Sequence, residues 1–149
     1  MDEQVVSQAR AEVIEKFINL EWLINLIISQ HYFGKVYRPF ILEVLYDENC
    51  SFILRRRILE KIIPGLDKKQ IQNLNRLNTI RNYFAHTGPQ IVEGAKVGKG
   101  QATKVPDPRK LDKAIDFTKL YKEFQRMEPI VAEYLFKLHQ ELRGKYSKA

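Results

Sequence analysis

The chain has 149 residues, 44% of them hydrophobic and 29% charged, which suits one folded domain over residues 1–149 and excludes a disordered or low-complexity polymer. A lone cysteine, Cys50, excludes an intramolecular disulfide and offers no metal-ligand spacing, so no metal site is expected. The formal charge of +7 draws polyanions such as nucleic acid, though it serves solubility equally well.

From Glu3 to about His31 neither Gly nor Pro interrupts the chain. Val6, Ala9, Val13, Phe17, Leu20, Ile24 and Ile27 recur at three- and four-residue spacing, which predicts a long first helix. Beyond Phe17, further apolar residues (Ile18, Trp22, Leu23, Leu26 and Ile28) cover more of the circumference than one core-facing stripe requires, so burial on two sides is expected. The apolar-rich stretch Leu20 to Ile28 contains Glu21 and Asn25, and the start, Met1-Asp2-Glu3-Gln4, is acidic and polar; a cytoplasmic protein without a membrane span is therefore expected.

Gly34 and Pro39 punctuate the next stretch, and two short helices follow, over Phe40–Tyr46 and Phe52–Ile63. Arg55-Arg56-Arg57 lies in the second of these; successive residues diverge on a helix, so the run reads as a solvated face. Asp67 is the expected N-cap of a fourth helix from about Lys68 to His86, stopped by Thr87-Gly88-Pro89. Pro89 to Pro108 reads as a long loop or small β-hairpin, and Leu111 to Leu142 as a closing helix that Pro129 kinks or splits. The fold class is all-α, a bundle of about five helices.

The fourth helix breaks its own pattern. With 100° per residue and Ile71 at zero, Leu74, Leu77, Ile80, Phe84 and Ala85 form an apolar arc centred near about 250°, and Arg81 falls inside it at about 280°. Beside the arc runs a polar edge of Asn75, Asn78, Asn82 and His86. Three asparagines in a helix interior cost helix stability, which suggests that their side chains have partners. Such a local rule break fits a functional site, but a structural account is open as well: Arg81 paired with a buried carboxylate such as Glu21, and His86 favoured by the helix macrodipole.

The stretch Leu77-Asn-Thr-Ile-Arg81-Asn82-Tyr-Phe-Ala-His86 resembles the signature of the HEPN (higher eukaryotes and prokaryotes nucleotide-binding) superfamily: arginine, a polar residue, then histidine after four intervening residues near a helix end. Its place, after a long helix and two short ones and before a closing helix, is similar as well. The resemblance implies a HEPN-like bundle and a metal-independent endoribonuclease without cofactor, of toxin or phage-defence type. It implies a homodimer in which two copies of the motif line one cleft, with RNA as substrate and an antitoxin as a further partner.

In that chemistry the RNA 2′-hydroxyl attacks its neighbouring phosphate. Arg81 is implied to bind phosphate through its planar donor fork, His86 to move protons, and Asn82 to orient the histidine or the substrate. Glu21 is expected to hold Arg81 or His86, Asn78 to support them, and Lys96, Lys99 and Lys104 to meet RNA phosphates. Gly88 stands where HEPN toxins silenced by nucleotide transfer carry tyrosine, which argues against that form of control. The competing expectation is a catalytically idle HEPN-like module for nucleotide or RNA binding or for dimerisation.

Overall fold

The computed structural model describes residues 3–86, 104–107 and 110–147. Five helices dominate: α1 (Glu3–Phe33), α2 (an α-helical turn, Arg38–Phe40, continued by a π-helical stretch, Ile41–Leu45), α3 (Phe52–Ile62), α4 (Lys68–His86) and α5 (Phe117–Ser147). Strands β1 (Lys104–Asp107) and β2 (Lys110–Asp116) pair antiparallel as a two-stranded ribbon, with Val105 opposite Ile115 and an irregularity between Pro106 and Asp107. Apart from this small ribbon, the described residues are all-α. Among the described residues, no helix is long and apolar enough to cross a membrane.

Helix ends follow from side chains that satisfy the first free amides. Ser51 caps α3 by accepting from the Leu54 amide at 3.1 Å, Asp67 caps α4 by accepting from Lys69 at 2.9 Å, and Asp116 caps α5 by accepting from Lys119 at 3.2 Å. Proline at the start of α2 is tolerated because its missing N–H has no helical acceptor there, so α2 begins before Pro39 rather than after it. The closing helix starts at Phe117 rather than Leu111, because Lys110–Asp116 belong to β2, and it runs unbroken through Pro129 to Ser147.

The chain divides into two compact units, one of residues 1–17 and 74–128, the other of residues 18–73 and 129–149. In the first, Val6, Ala9, Val13 and Phe17 of α1, Leu74, Leu77, Ile80 and Phe84 of α4, and Phe117, Leu120, Phe124 and Met127 of α5 are buried. Phe84 meets Phe117 edge-on at 5.0 Å between ring centres, and Arg76 forks onto Glu123 at 2.7 and 3.0 Å. The Tyr121 hydroxyl donates to Glu12, which also pairs with Lys16 at 2.9 Å. Tyr121 is pushed up to about 12, chiefly by that hydrogen bond and then by burial; the same bond, helped by Lys16, holds Glu12 below its ordinary range. Three helices thus close on one another around a shared apolar centre.

The second unit centres on Leu20, Ile24, Ile27 and Ile28 of α1, with Ile41, Leu45 and Leu59 buried beside Asn25 and Arg55. Arg55, read from the sequence as part of a solvated run, is 6% exposed. Its guanidinium donates to Glu21 at 2.6 Å and to Asn25 at 3.2 Å, while Arg57 in the same run is exposed. A buried guanidinium needs such partners to offset its lost hydration. The Asp67 amide donates to the Tyr134 hydroxyl at 2.8 Å, fixing the first turn of α4 to α5 within this unit.

Candidate functional site

The candidate site lies on the last three turns of α4, in the first unit. Ile71, Leu74, Leu77, Ile80 and Phe84 are buried, as the apolar arc requires, whereas Ala85 at its margin is exposed. Asn75, Asn78 and Asn82 are half-buried and His86, the last residue of the helix, is exposed. The polar edge therefore reaches solvent along its length and ends in an accessible imidazole.

Arg81 is half-buried, at the border between this edge and the core. Its guanidinium lies over the Phe17 ring, 4.7 Å from the ring centre, and donates from Nη2 to Asn78 Oδ1 at 2.8 Å. A ring face attracts a cation through its quadrupole, and an amide oxygen fixes one edge of the guanidinium plane. Asn78, one turn before Arg81, gains a concrete role from this bond: it orients the arginine. Asn75 accepts through its backbone oxygen from the Thr79 hydroxyl at 3.1 Å, a side-chain bond back along the same helix.

Glu21 lies in the second unit, where it accepts from Arg55 at 2.6 Å. The expectation of a carboxylate paired with an inward arginine thus has a realised instance in α3. Angular arithmetic applied to α3 finds it: with Phe52 at zero, Arg55 falls at about 300° and Leu59 at about 340°, one shared face. Lys104 is the first residue of β1, while Lys96, Lys99 and Gly88 lie outside the described residues.

Burial, reinforced by Asp47 and opposed by Arg55, pushes the Cys50 thiol up, away from the thiolate form a nucleophile needs. Among the described residues, no group of three or more His, Cys, Asp or Glu side chains is placed to hold a metal ion. Burial raises Glu128 above its ordinary range, an effect that Lys16 opposes and Glu12 reinforces. Comparison of the chain with protein-family models, curated proteins and solved structures finds no match.

Proposed function

We propose that the chain is a HEPN-like, metal-independent endoribonuclease of toxin or phage-defence type, working in the cytoplasm as a homodimer. The observation that carries this reading is the combination on α4 of an exposed His86 with an Arg81 anchored by Phe17 and Asn78. One helix thereby supplies a proton carrier and a cation in fixed orientation, the two elements that RNA transesterification demands.

The reaction needs neither metal nor cofactor. The 2′-oxygen attacks the adjacent phosphorus as its proton passes to His86, and Arg81 balances the charge that grows on the phosphoryl oxygens. The bond from phosphorus to the 5′-oxygen then breaks, and that oxygen takes a proton from the partner subunit's His86, leaving a 2′,3′-cyclic phosphate and a 5′-hydroxyl. Asn82, one turn before His86, orients the imidazole or the substrate, and Lys96, Lys99 and Lys104 meet flanking phosphates.

A two-fold dimer supplies both histidines in one groove. Support for a dimer comes from α1, where Ile18 and Trp22, one turn apart, are 51% and 37% exposed. Apolar side chains left at the surface at helical spacing fit burial against a second copy. A neutralising antitoxin completes this reading, since a free ribonuclease would harm its own cell.

Purified protein incubated with total cellular RNA in excess chelator tests the proposal. The expected result is cleavage with cyclic-phosphate ends by a dimer, lost in His86→Ala. Binding of RNA without cleavage by the wild type would instead make the chain an idle binding module.

A further inference from the structure

The turn that joins α1 to α2 displays an aromatic and basic surface that the α4 site does not use. Residues 32–39 are all exposed, among them Tyr32, Phe33, Lys35, Tyr37 and Arg38. Tyr32 is 58% exposed, the largest value among the exposed large hydrophobic residues. Phe33 packs at 4.9 Å against both Tyr37 and Phe40, and the Lys35 ammonium lies 5.5 Å from the centre of the Tyr37 ring.

Two buried polar residues hold this turn in shape. Ser29, fully buried, donates through its hydroxyl to the Lys35 carbonyl at 2.9 Å and accepts from the Tyr37 amide at 2.7 Å. Gln30, 5% exposed, donates through its side-chain amide to the Gly34 carbonyl at 2.8 Å. Gly34 closes α1 with φ of 68°, a left-handed conformation that a side chain would strain. Exposed rings on a turn fixed from below are presented outward, and their ordering cost is met before any ligand arrives.

We propose that this turn is a stacking platform for single-stranded RNA, separate from the α4 site. It deepens the ribonuclease reading by giving the substrate class a second foothold, and it rests on that reading only in naming RNA. Charge selects the occupant: no Asp or Glu occurs between Glu21 and Glu43, while Lys35 and Arg38 flank the rings, on a chain with net charge +7. Unpaired bases stack on aromatic faces while cations follow the phosphates, whereas the bases of a duplex are closed to such rings. An acidic or apolar protein segment would use the cations or the rings, but a nucleotide strand uses both at alternating positions.

The test is the affinity of the wild-type chain for a labelled 2′-O-methyl 12-mer, which lacks the attacking hydroxyl, as single strand and as duplex, across a salt series. The single strand is expected to bind more tightly than the duplex. Tyr32→Ala and Tyr37→Ala are each expected to weaken single-strand binding on the order of tenfold. Lys35→Ala is expected to reduce the slope of log affinity against log salt by about 0.7. Absence of binding, equal affinity for the duplex, or wild-type affinity in Tyr32→Ala overturns the proposal. So does a fall in solution mass in Tyr32→Ala with RNA affinity unchanged, which would make the surface a contact between copies of the chain. Stacking-dependent binding of this probe, with no cleavage of unmodified cellular RNA by the wild type, would refute the ribonuclease reading and leave the platform standing; cleavage of unmodified RNA with unaltered probe binding in Tyr32→Ala would do the reverse.

Discussion

Two arginines, each set on the inward side of a helix, are oriented by different neighbours. Arg55 of α3 is buried and meets a carboxylate, Glu21 at 2.6 Å, with Asn25 on a second nitrogen. Arg81 of α4 is half-buried, lies on the ring of Phe17 and is oriented by Asn78. A carboxylate cancels the charge of the guanidinium it meets, whereas a ring face and an amide oxygen fix its orientation. Arg55 thus serves as scaffold, whereas the proposed role of Arg81 is that of an oriented cation on the helix that ends in the exposed His86. Burial of an arginine alone does not separate these roles; the chemistry of what it touches does.

The largest effect expected from this contrast is on stability. Arg55→Ala removes the cation from a largely buried carboxylate and is expected to cost about 3–5 kcal/mol in denaturant unfolding. A loss below about 1 kcal/mol would show that the Arg55–Glu21 pair is not structural and would break the comparison. His86→Ala, at an exposed helix end, is expected to change stability by about 1 kcal/mol or less while lowering RNA cleavage about 10²- to 10⁴-fold. Equal losses of fold and activity would make His86 part of the scaffold.

The smallest effect concerns the bond that ties α5 to α1. Tyr121 is pushed up to about 12 in the fold, against an ordinary value near 10 when unfolded. Its contribution is therefore full below about pH 10 and is lost as pH rises toward about 12, because the unfolded chain releases the proton first. Urea melts of wild type and Tyr121→Phe at pH 8 to 11 are expected to differ by a constant amount up to about pH 10 and then to converge. A gap that widens with pH would reverse the sign of this linkage.

Much of the helical frame was legible in the sequence, because burial imposes a period. The stripe from Val6 to Ile27 is buried at each of its seven positions, and α4 spans Lys68–His86 with Asp67 as its cap, as the pattern predicts. What periodicity could not reveal was partnership over long separations. Glu21 and Arg55 lie 34 residues apart, and the arginine is hidden in a run of three that looks solvated. Arg81 stood out as an arginine inside an apolar arc, but only tertiary structure supplies Phe17 as its support. The late start of α5 at Phe117 was masked because Leu111 and Ile115 fit a helical stripe as well as a strand. No spacing or motif sets Tyr32, Phe33 and Tyr37 apart in the sequence; their exposure does.

The most direct test of the central claim is to measure, for Arg81→Ala, both chelator-resistant RNA cleavage and unfolding stability beside the wild type. Cleavage by the wild type, its loss in the variant, and a stability change of about 2 kcal/mol or less are expected. Retained cleavage in Arg81→Ala, or a variant that fails to fold, would contradict the assignment of Arg81 as a positioned catalytic cation rather than a second piece of scaffold.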